Sequence, residues 1–191
     1  MTQSKPVLHS TTHPTPVGLL TLVASDRGLR AVLWPKLSPQ RAGISPRPRR
    51  DPDHPVLRRT AQELDEYFAG SRTSFDVPLD LDGTRFQLAA WRSLAEIPFG
   101  TTTTYGQQAA ALGIPTAARA VGAANGANPV CIVLPCHRVI GANGSLTGFG
   151  GGLPVKQWLL DHEAQVARTI FDEPQWPVCQ PVQTRLSMPV A

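Results

Sequence analysis

A chain of 191 residues, 41% hydrophobic and 17% charged, is long enough for one large or two small domains with a proper core. Eighteen basic against fourteen acidic residues leave +4 at neutral pH, an excess compatible with nucleic acid but too mild over 20.6 kDa to require it. Three cysteines (Cys131, Cys136, Cys179), with no CxxC pair and no ligand-spaced Cys/His set, argue against a disulfide framework and a structural zinc site.

No run approaches the ~20 apolar residues of a membrane span, and the polar start has no signal-peptide pattern. A free thiol suits a reducing compartment. The expectation is a soluble, cytoplasmic protein (nuclear in a eukaryote) with no membrane partner.

Thr15-Pro16-Val17-Gly18 is turn chemistry ahead of a β-rich run over residues 19–24. Residues 25–28 read as a hairpin turn and 29–34 as the returning strand. Between Pro35 and Pro55 six prolines stand among Arg41, Arg47, Arg49 and Arg50. That is a surface loop rather than a domain boundary, its basic cluster open to two readings, DNA contact or plain solvation. Residues 56–69 follow helical spacing, with Val56, Leu57, Ala61, Leu64 and Phe68 on one face and Gly70 as the stop. Residues 75–81 are a further strand candidate. Residues 1–81 thus read as an α/β unit in which a helix covers a sheet, with no residue assigned to chemistry.

Residues 82–165 are mostly helical in pattern. Thr84 precedes a segment with Phe86, Ala89, Ala90 and Leu94 on one side. Thr104 with Gln107 three residues on is a capping-box signature, opening a short helix over 105–112 that Gly113 stops. Ile114-Pro115 predicts a second helix start, since proline suits a first turn. Two short helices so close read as a helix-turn-helix. Ala117, Ala118, Ala120, Gly122 and Ala123 surround a single Arg119. Small side chains let a backbone approach a groove while one guanidinium projects, although a helix-packing face favours the same residues.

Residues 125–129 form a turn into a predicted buried strand over 132–134, which Pro135 ends. Cys136 then sits at the strand end beside His137. A free thiol is only about 3% thiolate at neutral pH, so a nucleophilic role needs a base, and His137 is the nearest candidate. A buried, inert cysteine is the alternative. The glycines from Gly141 to Gly152 make a loop able to wrap a flat ligand, without phosphate-loop spacing. Pro154 opens a last helix with Val155, Trp158, Leu159 and His162 facing inward. The tail from Gln165, or 166–191 as a unit, shows no period.

Pro135-Cys136-His137-Arg138-Val139-Ile140 resembles the active-site signature of the O6-alkylguanine-DNA alkyltransferases, the methylated-DNA–protein-cysteine methyltransferases. The resemblance extends in order through Phe99-Gly100-Thr101-Thr102-Thr103-Thr104-Tyr105-Gly106-Gln107, Ala117-Ala118-Arg119-Ala120-Val121-Gly122, Asn128-Pro129, and the stretch from Gly151-Gly152-Leu153-Pro154 to Asp161-His162-Glu163. It implies an α+β protein: a ribonuclease-H-like α/β N-terminal domain (1–81) and a mostly helical DNA-binding domain (82–165) with a helix-turn-helix.

The resemblance also implies direct-reversal DNA repair: irreversible alkyl transfer from O6 of guanine, with O4 of thymine as a second candidate, to Cys136, one turnover per molecule. His137 would take the thiol proton through a water, with Glu163 orienting it. Tyr105 would protonate the leaving guanine and Asn128 brace the Cys136 segment. The backbone at Cys136 and Val139 would accept from the guanine amine and the Gly150 amide approach O6, with Phe149 and Lys156 near the site. Arg119 would fill the stack behind the flipped base, carried on a helix whose Ala118, Ala120 and Gly122 permit close approach. The implied partner is double-stranded DNA bearing O6-alkylguanine, bound by a monomer with no cofactor and no metal. Two other readings are a lesion-binding module without chemistry and a thiol hydrolase; the Cys136, His137 and Glu163 set argues against the first, the helix-turn-helix against the second.

Overall fold

Strand β1 (His9–Thr15) turns through Pro16 and Val17 into β2 (Gly18–Ser25), which turns through Asp26 and Arg27 into β3 (Gly28–Leu33). The computed structural model describes residues 6–35, 44 and 48–171. These strands pair antiparallel, and β4 (Arg49–Arg50) adds in parallel to β1, giving the order β3-β2-β1-β4. The predicted hairpin is present. Strand β1 was not expected, because its His/Thr/Pro sequence carries no apolar alternation. Of the proline-rich stretch, Arg49 and Arg50 form β4, while Arg41 and Arg47 lie outside the described residues.

A register shift between Val23 and Ala24 leaves Arg30 without a cross-strand partner. Past such a bulge the alternation changes phase, so Leu29, Val32 and Trp34 all join Leu20, Leu22 and Ala24 in the main core. Val23, Ala31, Leu33 and Ile44 form a small cluster apart from it. Arg30 instead donates from Nη1 to the Asp80 carbonyl at 3.0 Å and from Nη2 to Asp82 at 2.6 Å. It thereby fastens the segment leaving the N-terminal unit to the sheet.

Helix α1 (Pro55–Phe68) packs on the sheet, with proline in its first turn and Gly70 in the left-handed region beyond its end. Its buried residues are Leu57, Thr60, Glu63, Leu64 and Tyr67. The predicted face does pack on the core, Leu57 and Leu64 fully and Val56, Ala61 and Phe68 in part, and the buried surface extends to Glu63 and Tyr67, where the chain after the helix packs. Glu63 accepts from the Asp76 and Val77 amides at 2.8 and 3.2 Å.

Residues 75–81 do not form the expected strand. Only Leu79 bridges Leu29, although the Leu29 amide donates to Pro78 O at 2.7 Å and the Asp80 amide to Leu29 O at 2.9 Å. Further along the same β3 edge, Val32 bridges Val130 and donates to Pro129 O at 2.8 Å. Two connecting segments cover one sheet edge, and the second leads directly to Cys136.

In the C-terminal half, Thr84 and Thr104 each close a full capping box, with Gln87 at α2 (Arg85–Leu94) and Gln107 at α3 (Tyr105–Ala111). Strand β5 (Thr103–Thr104) directly precedes α3. Helix α4 (Ala118–Gly126) completes the helix-turn-helix. Pro115 does not open α4; it lies in the turn before it, and Ala117 is the N-cap. Asn125 is likewise helical rather than part of a turn. The Trp91 indole donates to Ala124 O at 2.8 Å, and Asn125 Nδ2 donates to Gln108 Oε1 at 2.7 Å. These buried bonds set the three helices against one another.

Helix α5 (Leu153–Phe171) runs through residues expected to belong to the tail, while 172–191 lie outside the described residues. It buries Lys156, Leu159 and Glu163, whereas Trp158 is exposed and stacks on His162 at 5.1 Å. Of the expected inward face, Leu159 is buried and Val155 packs on the core, while Trp158 is not; the polar groups at 156 and 163 join the buried side, each held by hydrogen bonds. Among the described residues no helix is long and apolar enough to cross a membrane.

The edge of β3 gives a stability prediction. A Cβ on Gly28 would stand 2.5 Å from Pro78 O, a contact that must open. Gly28→Ala is expected to cost about 2–3 kcal/mol, the range for a backbone position with no room to relax. The midpoint of urea unfolding measures it; an unchanged midpoint would mean that the 78–80 pairing is dispensable.

Candidate active site

The predicted strand over 132–134 is a tight turn instead. Ile132 is in the left-handed region at φ 75°, and the Leu134 amide reaches back to Val130 O at 3.0 Å. A β-branched residue there is strained by about 1–2 kcal/mol, so the surroundings must hold it. Asn128 does so from both sides: Nδ2 donates to Leu134 O at 2.8 Å and Oδ1 accepts from the Val130 amide at 3.0 Å. Pro135 then leads into a 3₁₀ turn, Cys136–Arg138, followed by β6 (Val139–Ile140), which pairs in parallel with β5. Cys136 is therefore at the start of a helical turn, so its neighbour His137 points elsewhere, into the core.

His137 is fully buried, and its Nε2 lies 2.7 Å from Glu163 Oε1. Burial pushes the Glu163 carboxyl up, but the hydrogen bonds and charges of His137 and Arg138 outweigh it and hold the carboxyl at about 2. An ionised Glu163 can only accept, so Nε2 carries the imidazole proton and Nδ1 is left with a lone pair. Nδ1 is buried and has no hydrogen-bond partner among the described residues. Burial lowers the His137 pKa below its ordinary value; Glu163 opposes this, while Arg138 and Lys156 add to it. His137 is a neutral base.

Glu163 has three further partners that the sequence did not point to. Arg138 donates from Nε to Oε2 at 2.8 Å and from Nη2 to Oε1 at 3.0 Å. Tyr67 Oη donates to Oε1 at 2.8 Å, and the Gly100 amide to Oε2 at 3.1 Å. Arg138 also donates to Ile97 O at 2.6 Å and lies 5.6 Å from the Phe99 ring centre. Gly100 has φ 73°, and a Cβ there would stand 2.7 Å from Ala167, so only glycine brings this amide to the carboxylate. Tyr67 means that the N-terminal half does contribute to the site. The one available signal was a tyrosine in a helical pattern, which packing alone explains equally well.

In front of Cys136 lies a cavity of about 690 Å³ between α3, α4 and the glycine-rich loop. Tyr105, Ala118, Arg119, Gly122, Asn128, Cys136, Phe149 and Gly150 all line it, together with Cys131. Ala120 is exposed and does not line it. Val139 is fully buried outside the lining, and its carbonyl accepts from Lys156 Nζ at 2.7 Å. One lone pair of the Val139 carbonyl is thus taken by Lys156, and the second is left for the expected substrate contact. Lys156 also donates to Thr147 O at 2.9 Å, fastening the loop to β6. The Thr147 hydroxyl donates to Tyr105 Oη at 3.1 Å. Gly151 lies flat on the Trp34 indole, where a Cβ would approach to 3.0 Å. A Cβ on Gly122 would stand 3.6 Å from the Tyr105 ring, an ordinary contact, so alanine would fit there.

The two sulfurs of Cys136 and Cys131 stand 3.9 Å apart. The Cys136 thiol is lowered below its ordinary value chiefly by Cys131; burial opposes this, and Asn128 and the Lys156 charge assist. The arrangement places a cavity-lining thiol of enhanced acidity next in the chain to a buried neutral imidazole on a carboxylate, the kinds of groups that can activate a sulfur nucleophile.

Comparison with known proteins agrees with this geometry. Residues 8–81 match the family model "6-O-methylguanine DNA methyltransferase, ribonuclease-like domain", and residues 85–165 match "6-O-methylguanine DNA methyltransferase, DNA binding domain". A methylated-DNA–protein-cysteine methyltransferase of Mycolicibacterium paratuberculosis is 47% identical over 163 residues, 83% of this chain and 95% of that one. One of Methanosarcina acetivorans is 44% identical, over 78% of this chain and 94% of its own. The crystal structure of Mycobacterium tuberculosis OGT in complex with DNA superposes with a TM-score of 0.76 at 43% identity, covering 83% of this chain and 94% of that one.

The depressed Glu163 pKa sets a pH dependence. An unfolded chain binds a proton at this carboxyl near the ordinary value of 4.5, the folded one at about 2. Stability from this group is thus fully present above pH 4.5 and is lost as pH falls toward 2, by on the order of 3 kcal/mol. Glu163→Gln should remove that window and lower stability at neutral pH by roughly 3–5 kcal/mol, because Arg138 keeps its buried charge without a partner. Urea midpoints between pH 2 and 7 for both proteins test this; parallel profiles would refute it.

Proposed function

The chain belongs to the methylated-DNA–protein-cysteine methyltransferases, and we propose that it repairs alkylated DNA by moving the alkyl group from O6 of guanine onto Sγ of Cys136, once per molecule. The observation that carries this reading is a single cavity whose wall holds Cys136 on one side and the α4 residues Ala118, Arg119 and Gly122 on another. A thiol acceptor and a helix-turn-helix open onto the same space.

The proton of Cys136 passes through a water to His137 Nδ1, the nitrogen left with a lone pair. Glu163 steadies the imidazolium, and Arg138 keeps the carboxylate ionised. The thiolate attacks the alkyl carbon; the S–C bond forms as the C–O6 bond breaks, and guanine leaves with a proton from Tyr105. The thioether offers water no good leaving group, so the thiol is not regenerated and the protein is consumed. No cofactor or metal enters these steps.

A base inside a duplex cannot reach Cys136, so the lesion must be flipped out, at a cost of a few kcal/mol. Arg119 is exposed on α4 at the cavity rim and can take the vacated place in the stack. The glycines of the loop leave room for groups bulkier than methyl, and O4-alkylthymine is a second substrate to be measured.

Equimolar protein and a duplex with one O6-methylguanine should lose the lesion roughly stoichiometrically and then stop, with the methyl on the Cys136 peptide alone. Continued turnover would indicate a hydrolase, intact lesions a binding module, and methyl on another cysteine would remove Cys136 from its role. Cys136→Ser is expected to bind the lesion and leave it unrepaired.

Arg119→Ala should lose repair of the duplex far more than reaction with the free O6-alkylguanine base. Equal losses on both substrates would make Arg119 a support of the fold or pocket rather than of the flipped state.

A further inference from the structure

Beside Cys136 lies a second thiol for which the mechanism above has no use. Cys131 is 4% exposed, lines the same cavity, and begins the tight turn that Ile132 continues. Its Sγ stands 3.9 Å from Cys136 Sγ and 3.5 Å from Asn128 O. A thiol has one proton to give. While Cys136 is protonated, that group donates toward Cys131, and Cys131 donates to the Asn128 carbonyl. Once Cys136 loses its proton it can only accept, and the Cys131 S–H, with the sulfurs 3.9 Å apart, is a donor able to turn toward it. We propose that Cys131 is a positioning residue for the reaction: its S–H, held on Asn128 O while Cys136 is a thiol, swings onto the Cys136 sulfur as that sulfur becomes a thiolate.

The other donors around the sulfur are anchored by bonds elsewhere, so that Asn128 and the Lys156 charge bear on it from fixed positions. Asn128 Nδ2 is bound to Leu134 O, Lys156 Nζ to Val139 O and Thr147 O, and Arg138 to Glu163 and Ile97 O. His137 Nε2 is bound to Glu163. Tyr105 and Arg119 line the cavity from α3 and α4. Cys131 is a neutral donor whose proton can rotate between two acceptors in contact with it, while the Trp34 indole N–H, without a hydrogen-bond partner among the described residues, bears on Cys131 itself. The acidities of the two thiols part in the matching sense. Cys136 is lowered with Cys131 as the largest cause, and Cys131 is raised well above its ordinary value with Cys136 as the largest cause. No proton leaves Cys131 in the step; the hydrogen bond changes acceptor, and the charge stays on Cys136. After alkylation the sulfur is a poor acceptor, and the Cys131 proton returns to Asn128 O.

This inference rests on Cys136 being the nucleophile, and its test needs no DNA. The rate of Cys136 alkylation by iodoacetamide, followed by peptide mass between pH 4 and 10, traces the thiolate population. Cys131→Ala is expected to raise the midpoint by roughly one pH unit, and Cys131→Ser, which keeps a donor of similar size, to bring it most of the way back. At neutral pH transfer from the methylated duplex should slow by up to about tenfold in C131A and recover in C131S. A merely structural Cys131 predicts the opposite: the truncated wall admits water, burial of the thiolate eases, and the midpoint stays or falls. An unmoved or lowered midpoint in C131A, or a C131S midpoint as high as that of C131A, overturns the proposal. Absence of transfer from the duplex by the wild-type protein would overturn the proposed function instead, while the iodoacetamide profiles still decide the role of Cys131.

Discussion

One buried carboxylate holds the site together. Glu163 is fully buried on α5 and accepts from His137, Arg138, Tyr67 and the Gly100 amide. These donors come from the 3₁₀ turn after Pro135, from α1 in the N-terminal half, and from the loop before β5. An ion so enclosed is tolerable only because its oxygens are all bonded and one partner carries the opposite charge. The same bonds dictate the chemistry. They keep Glu163 ionised, fix the proton of His137 on Nε2, and leave Nδ1 basic. Arg138 balances the carboxylate charge, so the imidazole can remain neutral until it receives a proton.

The thiol itself is positioned by a different device, a strained turn pressed against a sheet edge. Val130 bridges Val32 of β3, Ile132 takes a conformation that a β-branched side chain disfavours, and Asn128 clamps the turn on both sides. Strain of this kind persists only where surroundings over-determine it. Here they include the fully buried Ile132 side chain and three hydrogen bonds. The N-terminal sheet therefore acts as the anvil for the Cys136 segment, and Tyr67 ties its helix to Glu163. Cys136, Val130 and Leu159 share a single core with Leu20, Leu22 and Leu57, so the two halves meet through packing as well as through the site.

Facing the thiol is a wall of a different character. Helix α4 presents Ala118 and Gly122 to the cavity and Arg119 at its rim, while the opposite side is loop backbone resting on Trp34 and fastened by Lys156. A cavity walled by small residues and glycines suits a flat aromatic ligand, and the buried polar groups sit behind it, away from water.

Local chemistry was legible wherever a short segment decides its own conformation. The capping box at Thr104, the hairpin at residues 25–28 and the stop at Gly70 follow from side chains within a few positions of one another. The ordered blocks from Phe99 to Glu163 further specified the family. What sequence alone could not decide lay between distant segments. Residues 132–134 have the composition of a strand, but among the described residues the bridges here are only Val130 to Val32 and Cys131 to Leu134 within the turn itself, so they fold into a turn. Pro115 has the chemistry of a first helical turn, yet α4 begins only at Ala118. Tyr67, Arg138 and Cys131 look like an amphipathic core residue, a basic residue after a motif, and a spare thiol. Each acquires its place only because the tertiary fold brings α1, α5 and the Cys136 turn together, where burial makes every unpaired polar group costly and so selects its partners.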